Sequence, residues 1–459
     1  MKHIKDLIQT DYDLWITGIT DDSREVQKGF LFVATKGFHV DHFDYIGDAV
    51  EKGCSMVISD REISYDIPYL KVEDIEKVYH TLCSKFYGVD PKEFHMIGIT
   101  GTDGKTTTAT IVHHLLEDYA YLGTNGLTIR DKTTTTHNTT PCVSELYESL
   151  LKMQQEHISH VVMEVSSEAL LHNRVQDFCY DMVGFTNITG DHLNIHGDFD
   201  SYVSCKMKLL ELVKKDGYVF VNGDDPILKG IHHPNVISFG FDSSSDYWIQ
   251  NISYHKKSVL ITLKKEDKEF LVESPYPGKH NVYNVVMAFL MGLYQGIDEL
   301  VLCEKIKTLP PVSGRGEFLE FGQDYTIVLD YAHTIHGIES ILDTFSNKRV
   351  ITVTGCAGGR EKEKRRTIGK MVMEKSDVSI FTMDDPRYES VDDIIDQMVG
   401  EDTNYIRMQD REEAIFYALS IAKKDDVVLI LGKGRDEYMA IEDRKDPYSD
   451  FSVIQKYFS

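Results

Sequence analysis

A glycine-rich run near residue 100 lies between a hydrophobic stretch and a helical pattern. The run GITGTDGKTTT spans residues 98–108. Gly101 and Gly104 allow a tight turn that brings backbone N–H groups near phosphate oxygens. Lys105 supplies a cation for the β- and γ-phosphates, Thr106 offers a hydroxyl to Mg²⁺, and the helix N-terminus adds partial positive charge. The strict Walker A spacing would need glycine at position 99, where this chain has Ile99. The place of the run, after a strand and before a helix, nevertheless predicts nucleotide binding rather than an ordinary glycine turn.

Acidic and histidine side chains follow two later hydrophobic stretches. Glu164 ends the stretch SHVVMEVSS, where a carboxylate in a phosphate-loop protein can hold Mg²⁺; the alternative is a capping or solvated glutamate. Two histidines and two aspartates occur within residues 191–198, which suggests a second cation site. Lys206, taken alone, is typical of a solvated helix lysine.

The elements that must position these residues follow an α/β rhythm. Short hydrophobic strands alternate with helical patterns after FHMIGIT at 94–100, and the same rhythm returns after LPPVSGRGE at 309–317. Such alternation predicts βαβ units and mostly parallel sheets, whose ligands bind at the carboxyl ends of the strands. We therefore predict an α/β protein with a small first domain (1–92), a central phosphate-loop domain (93–310) and a Rossmann-like third domain (311–459).

Composition excludes several function classes. The 459 residues contain 49 Lys+Arg and 74 Asp+Glu, a net charge of −25, which argues against a nucleic-acid or anionic-membrane partner. The N-terminus has no signal-peptide pattern, and the longest hydrophobic runs are too short to span a bilayer. Seven scattered cysteines with no CxxC pair favour reduced thiols, so we expect a cytoplasmic protein.

The ordered set of motifs resembles the Mur ligase family, and within it the E-type enzymes, the UDP-N-acetylmuramoyl-tripeptide synthetases. TGTDGKTTT, MEVSS, DHLNIHGDFDSYVSCK, GKHNVYN, SGRGEF, LDYAHT, GCAGGRE, DDPRYE and GKGRDEY occur in the family's order, and the N-terminal segment from DDSREV also fits. The resemblance implies an ATP-dependent amide ligase of peptidoglycan precursor synthesis. ATP would phosphorylate the D-glutamate side chain of UDP-MurNAc-L-Ala-D-Glu, and the amine of a diamino acid would attack the acyl phosphate.

The resemblance also implies roles for individual residues. ATP would be bound by Gly101, Thr102, Asp103, Gly104, Lys105, Thr106, Thr107, Asn281, Asn284, Arg315 and Asp330, and Mg²⁺ by Thr106, Glu164, His192 and a carbamylated Lys206. The UDP substrate would be bound by Ser23, Phe38, His39, Val40, Asn138, Thr139, Thr140, Ser166 and Arg174. The amino acid would be bound by Arg360, Asp384, Asp385, Pro386, Arg387, Gly432 and Asp436. Lys105, Glu164, His192 and Lys206 would carry the catalysis.

Several positions depart from the family pattern, all on the UDP-peptide and amino-acid sides. They are Glu168 in place of the His of SSH, His172 in place of Gln, Asn194 in DHLN, His333–His336 in place of HTPD, and Gly432–Asp436 in place of GKGHE. The chain is therefore either a divergent housekeeping ligase or a paralogue with another acceptor or donor. A folylpolyglutamate- or cyanophycin-type amide ligase and a non-catalytic nucleotide-binding partner are the other hypotheses. The N-terminal segment weighs against the former, and the four retained catalytic residues weigh against the latter.

The acceptor signals conflict. Arg387 follows Asp-Pro, as in diaminopimelate-type enzymes, where a guanidinium binds the distal carboxylate. Asp385 stands where those enzymes usually have Asn, and an anion there would favour the ammonium of lysine. Arg387 could also simply pair with Asp385. We expect diaminopimelate slightly ahead of lysine, and a monomeric enzyme.

Overall fold

The computed structural model describes residues 1–37, 41–190, 193–255 and 258–459. The chain divides into two compact units. The first comprises Met1–Gly101, Thr108–Thr186 and Asp200–Ser238, and the second comprises Thr102–Thr107, Asn187–Phe199 and Phe239–Ser459. Within the described ranges, no helix is both long enough and apolar enough to cross a membrane.

The N-terminal part of the first unit is a small α/β layer. Its strands are β1 (Lys2–His3), β2 (Trp15–Ile16), β3 (Gly18–Thr20), β4 (Phe30–Val33), β5 (Met56–Ser59) and β6 (Tyr69–Lys71); its helices are α1 (Ile4–Leu7), α2 (Ile46–Glu51) and α3 (Ile75–Tyr87). Strands β3-β4-β5-β6 form a parallel sheet in that order. Helix α3 begins because the Asp74 side chain accepts the N–H of Lys77, and it ends at Gly88 in the left-handed conformation.

The larger sheet of the first unit follows. The next elements in chain order are β7 (His95–Thr100), α4 (Lys105–Leu115), β8 (Tyr119–Gly123), β9 (Gly126–Ile129), β10 (Lys132–Thr134), α5 (Val143–Gln155), β11 (His160–Glu164), α6 (Ser167–Leu171), β12 (Tyr180–Phe185), α7 (Leu193–His196), α8 (Phe199–Met207), β13 (Val213–Asn222) and β14 (Val236–Gly240). Of these, α7 belongs to the second unit. Strands β8-β11-β7-β12-β13 run parallel, so the carboxyl ends of β7, β11 and β12 share one edge. Glu164 lies at that edge, at the end of β11, and the phosphate loop follows β7 in the sequence.

The second unit holds a strand-rich patch and a six-stranded sheet. Its elements are β15 (Tyr247–Tyr254), β16 (Val259–Lys265), β17 (Lys268–Ser274), α9 (Lys279–Tyr294), α10 (Glu299–Lys307), β18 (Glu317–Leu319), β19 (Thr326–Asp330), α11 (Ile335–Thr344), β20 (Val350–Thr354), α12 (Glu363–Lys375), β21 (Val378–Phe381), α13 (Val391–Val399), β22 (Ile406–Arg407), α14 (Arg411–Ile421), β23 (Val427–Leu431), β24 (Tyr438–Ile441), β25 (Arg444–Pro447) and α15 (Asp450–Phe458). The sheet order is β18-β19-β23-β20-β21-β22. All neighbours after β19 are parallel.

The predicted α/β fold class is confirmed. The central strands β20 and β23 are buried along their whole length, which explains their continuous Val/Ile/Leu runs. Hydrophobic clusters cover both faces of this sheet, one around Ile338, Ile368 and Ile395 and the other around Ile415 and Ile454. Loops after β19, β20, β21 and β23 therefore converge at one edge, as the sequence predicted.

Candidate active site

Two segments of the second unit fasten the phosphate loop. The backbone N–H of Thr102 donates to the carbonyl of Asn187 at 2.9 Å, and the Thr102 hydroxyl exchanges hydrogen bonds with the backbone of Thr189. The Asn187 side chain accepts the N–H of Asp103 at 3.0 Å and donates to its carbonyl at 3.1 Å. These contacts fix the backbone directly before Lys105, where α4 begins.

Gly104 packs against the amide of Asn284. Its φ is +84°, a conformation that favours glycine, and a Cβ at this position would lie 2.4 Å from Asn284 Oδ1. Asn284 donates to Asn281 Oδ1 at 3.3 Å, and Asn281 donates to the carbonyl of Pro277 at 2.9 Å. The structure therefore brings the asparagines of GKHNVYN against the phosphate loop.

Arg315 and Asp330 lie beside the same loop. The Arg315 guanidinium approaches the Thr106 hydroxyl at 3.5 Å and covers the Tyr331 ring at 4.4 Å. Asp330 accepts the backbone N–H groups of Gly316 and Ala332. Burial raises the pKa of Asp330, although Arg315 lowers it. The structure thus brings the Arg315 cation of the third sequence segment against the phosphate loop, and Asp330 holds the backbone on either side of it at Gly316 and Ala332.

Asp103 connects the loop to the LDYAHT segment. Thr334 donates to both oxygens of Asp103, at 3.0 and 3.2 Å, and His336 Nδ1 lies 3.6 Å from Oδ2. Burial acts to raise the pKa of Asp103, but the contact with His336 and the nearby charges outweigh it, so the pKa is lowered. His336, one of the departures from the family pattern, is therefore a direct neighbour of the phosphate loop, so the prediction that all departures lie on the UDP-peptide and amino-acid sides is wrong for this residue.

Glu164 in the first unit is fully buried at the end of β11. Its Oε1 accepts from the Tyr121 hydroxyl at 2.5 Å and from the N–H of Thr124 at 2.9 Å. Its Oε2 accepts from the Thr124 hydroxyl at 3.2 Å. These donors hold the carboxylate in one orientation. Tyr121 and Thr124 were missed by the sequence reasoning, since neither belongs to a quoted motif.

The predicted UDP-substrate residues of the central segment form one network with Glu164. Thr140 donates to the carbonyl of Glu164 at 2.8 Å and accepts the N–H of Ser166 at 2.9 Å. Arg174 donates to the carbonyl of Thr140 at 3.0 Å, and the hydroxyls of Thr139 and Thr124 are 3.0 Å apart. The four predicted residues Thr139, Thr140, Ser166 and Arg174 are thus brought together.

The remaining predicted UDP-substrate residues are less connected. Asn138 precedes this network and accepts a hydrogen bond at its carbonyl from Thr136. Ser23 is buried and accepts Lys52 at its carbonyl, and the described contacts do not join it to Thr140. A cavity whose lining includes Asp21, Thr35, Lys36, Tyr79, His172 and Arg174 lies in this unit. Phe38, His39 and Val40 lie outside the described residues.

Lys206 is buried rather than solvated. Only 1% of the residue is exposed; its Nζ donates to the carbonyl of Gly101 at 2.8 Å and lies 4.8 Å from the centre of the Tyr202 ring. The interpretation of Lys206 as a solvated helix lysine is therefore wrong, and the role implied by the resemblance stays a prediction. His192 lies outside the described residues, and the described ones include no cluster of three His, Cys, Asp or Glu side chains that could hold a metal ion.

On the acceptor side, Asp385 already has a cation. Lys433, with 1% of its side chain exposed, donates to Asp385 Oδ1 at 2.8 Å and lies 3.6 Å from Asp436 Oδ2. The N–H of Ala440 also donates to Asp385 Oδ1. Burial acts to lower the pKa of Lys433, but the surrounding carboxylates raise it above its ordinary value. Lys433 was quoted only within its motif and not predicted as a site residue.

Asp384 belongs to the same charged cluster as Lys433 and Asp385. It packs so closely on Gly432 that a Cβ there would lie 2.2 Å from Asp384 Oδ2. Burial raises the pKa of Asp384 to about 6, although Arg411 and Lys433 lower it. Arg411 is itself buried, pairs with Asp450 and donates to the carbonyl of Leu431. The loops after β21 and β23 are thereby held together.

The two predicted acceptor arginines have no acidic partner among the described ion pairs. Arg360 and Arg387 are both half-buried, and Asp385 pairs with Lys433 instead of Arg387. Arg387 follows Pro386 with a φ of +51°, held by backbone bonds to Ala440 and Glu442. Asp385 is therefore not the partner that the sequence offered for Arg387.

Comparison with known proteins agrees with this arrangement. Family models match at residues 15–87 (Mur ligase family, catalytic domain), 99–292 (Mur ligase middle domain) and 314–434 (Mur ligase, glutamate ligase domain). The UDP-N-acetylmuramoyl-L-alanyl-D-glutamate–2,6-diaminopimelate ligase of Bacillus cereus is 34% identical, with 96% of this chain and 94% of that protein covered. The chain belongs to the Mur ligase family. Members of this family are ATP-dependent ligases, so the protein is a ligase of peptidoglycan precursor synthesis.

Solved structures share the fold of this Mur ligase. A UDP-N-acetylmuramoyl-L-alanyl-D-glutamate–2,6-diaminopimelate ligase superposes with a TM-score of 0.66 at 23% identity, with 100% of this chain and 98% of that chain covered. The MurF ligase from Thermotoga maritima, in complex with ADP, gives a TM-score of 0.65 at 21% identity, with 90% and 93% covered.

Proposed function

We propose that this Mur ligase joins a diamino acid to UDP-MurNAc-L-Ala-D-Glu in an ATP-dependent reaction, with meso-diaminopimelate as the preferred acceptor. The observation that carries the proposal is the acceptor side: among the residues that the structure describes, neither Arg360 nor Arg387 has an acidic partner, while Asp385 pairs with buried Lys433. The 34% identity to a ligase named for diaminopimelate supports it. Three segments, 1–92, 93–310 and 311–459, would serve the UDP substrate, ATP and the amino acid.

The acceptor preference follows from charge. A free Asp385 would attract the side-chain ammonium of lysine, but its ion pair and its bond from Ala440 already satisfy it. A second carboxylate on the acceptor therefore meets less repulsion than the sequence alone indicated. An unpaired guanidinium binds such a carboxylate through two parallel N–H bonds. For these reasons we favour diaminopimelate over lysine as the acceptor.

The nucleotide side suits a triphosphate. The backbone at 101–107 would bind the phosphates, Lys105 and Arg315 would supply positive charge, and Asn281 and Asn284 would lie near the adenine. Asp103 and Thr102 would act through the shape of the loop, which Asn187 fixes. Thr107 and Asp330 complete the proposed set.

The oxygen donors suit Mg²⁺. A buried carboxylate at Glu164 and a hydroxyl at Thr106 are hard ligands of the kind that this ion prefers. Lys206 as an ammonium would repel it, whereas a carbamate on Nζ would supply oxygen atoms. We propose that Lys206 is carbamylated and binds Mg²⁺ with Glu164, Thr106 and His192. When bound, the ion offsets the negative charge of the phosphates.

The proposed reaction has two steps. A side-chain carboxylate oxygen of D-glutamate attacks the γ-phosphorus, the bond to the β-phosphate oxygen breaks, and ADP leaves. Lys105 and the loop N–H groups stabilise the charge that develops on the transferred group. The amine of the acceptor then attacks the acyl carbon, inorganic phosphate leaves with the bonding pair, and the amine loses a proton to give the amide. The reaction would take place in the cytoplasm, and we propose a monomer.

The test compares diaminopimelate and L-lysine in wild type and Arg387→Ala. Wild type should prefer diaminopimelate. In Arg387→Ala the KM of diaminopimelate should be about 10- to 100-fold higher, which is the effect of losing one charged hydrogen-bond pair. The KM of ATP serves as the control and should not change. A preference for lysine that Arg387→Ala leaves unaltered would refute the acceptor assignment. Use of neither amino acid would favour a paralogue with another acceptor.

A further inference from the structure

One buried arginine joins the two loops that carry the acceptor arginines. The Arg365 side chain, in the first turn of α12, has no solvent exposure. Its terminal nitrogens donate to both carboxylate oxygens of Glu389, at 2.8 and 3.0 Å, and one also donates to the carbonyl of Ala357 at 3.0 Å. A bidentate pair of this kind fixes direction as well as distance. Glu389 is thereby held in a single orientation.

Glu389 passes this constraint to the loop after β20. Its Oε1 accepts the backbone N–H of Gly359, the residue directly before Arg360, at 2.6 Å. The two loops also touch through the N–H of Gly358 and the carbonyl of Asp385 at 3.0 Å. A Cβ on Gly358 would lie only 1.9 Å from the carbonyl oxygen of Pro386. The spacing between the loops is therefore tightly defined.

The same glutamate belongs to the turn that holds Arg387. Its backbone N–H donates to the carbonyl of Pro386 at 2.9 Å, which closes the turn around Arg387. The Arg387 side chain in turn passes Gly359, where a Cβ would lie 3.7 Å from Arg387 Nη1. One carboxylate thus connects the neighbour of Arg360 with the turn of Arg387.

We propose that Glu389, oriented by Arg365, is a positioning residue that sets the separation of the Arg360 and Arg387 guanidinium groups and so selects acceptors with a distal carboxylate. This inference rests on the proposed acceptor. We assign Glu389 no contact with ATP or with the reacting atoms. Its effect is carried by Gly359 on one loop and by the Pro386 turn on the other.

The experiment measures kcat and KM for diaminopimelate and lysine in Glu389→Ala and Glu389→Gln. Glu389→Ala should raise the KM of diaminopimelate by about 10- to 100-fold, the effect of a displacement near 1 Å, and should lower the preference over lysine. The KM of ATP and of the UDP-dipeptide should change less than about twofold, because neither site uses these loops. Glu389→Gln keeps an acceptor for Gly359 and should recover most of the selectivity.

Two matched controls separate positioning from stability. Gln397→Ala removes another partner of Arg365, at 2.8 Å, without freeing Gly359. Asp402→Ala breaks the half-exposed pair of Arg366, the next residue on α12. Each of these two substitutions should affect only the melting temperature and should leave the preference for diaminopimelate over lysine unchanged. If Glu389→Ala does not fold, Glu389→Asp, which withdraws the charge by one methylene, takes its place.

The outcomes distinguish this inference from the proposed function. Activity of wild type with diaminopimelate tests the proposed function alone. Given that activity, an unchanged acceptor preference in Glu389→Ala would overturn the positioning role. Equal losses in Glu389→Ala and Gln397→Ala would also overturn it, because they would show a contribution to stability only.

Discussion

Replacing Asn187 by alanine should weaken ATP binding without unfolding the protein. The side chain makes two hydrogen bonds to the backbone of Asp103, one accepted at 3.0 Å and one donated at 3.1 Å. Both hold the phosphate loop in its present conformation. The backbone contact between Thr102 and the Asn187 carbonyl survives the substitution, so the loop should remain attached at one point.

The magnitude follows from the two lost bonds. One hydrogen bond makes a net contribution of about 1 kcal/mol to stability. Without the two bonds, the ordered conformation of the loop is therefore less stable by about 2 kcal/mol relative to other loop conformations. If the loop must be ordered to bind, the apparent Kd rises in proportion to the population that is lost. About 2 kcal/mol corresponds to roughly 30-fold. Asn187→Asp keeps the acceptor but places a carboxylate beside the Asp103 carbonyl, so its effect should be at least as large.

Calorimetric titration with a non-hydrolysable ATP analogue and Mg²⁺ measures this effect. Asn235→Ala is the matched control, because that side chain also donates to a backbone carbonyl, of Gly217 at 3.1 Å, but away from the loop. The control should bind the analogue like wild type. If Asn187→Ala bound it within twofold of wild type, the account of the loop as a conformation fixed by Asn187 would be wrong.

Three further predictions concern single residues. Lys105→Ala should lower turnover by about 10²-fold or more, because a cation at the transferred phosphate is lost, while calorimetry should still detect UDP-substrate binding. Lys206→Ala should abolish activity, short carboxylic acids should restore part of it, and an intact-mass shift of one carbamate should be lost; full activity would contradict this. Asp384, with a pKa raised by burial to about 6, contributes stability that is present below its unfolded pKa near 3.8 and is lost as pH rises through about 6. The free energy of unfolding of Asp384→Asn, measured with guanidinium, should therefore rise relative to that of wild type between pH 4 and 7, by about 3 kcal/mol at most. If the two free energies changed with pH in parallel, the raised pKa of Asp384 would be refuted.

Much of the fold was predictable because its strands are uniform hydrophobic runs. FHMIGIT, VVMEV and VVLIL each became a buried parallel strand, since strands covered on both faces need apolar residues throughout. The predicted domain boundaries stay a prediction.

The site was predictable only where a motif carries it. Lys105, Glu164 and Arg387 stand in recognisable motifs. The ion pair between Lys433 and Asp385 joins residues 48 apart in sequence, and that between Arg365 and Glu389 joins residues 24 apart. Whether the two residues of such a pair come into contact depends on which strands are neighbours in the sheet, and the separation of the residues in the sequence does not reveal that. Burial likewise reversed the first interpretation of Lys206, because its side-chain environment is set by distant segments.

The most direct test of the central claim is product formation by the purified enzyme. Wild type is incubated with UDP-MurNAc-L-Ala-D-Glu, ATP, Mg²⁺ and either diaminopimelate or lysine, and the products are identified by mass spectrometry alongside phosphate release. We expect the UDP-linked tripeptide with diaminopimelate, one phosphate per amide bond, and product formation slowed by about 10²-fold or more with Lys105→Ala. Phosphate release without a tripeptide, or a tripeptide formed only from another amino acid, would contradict it.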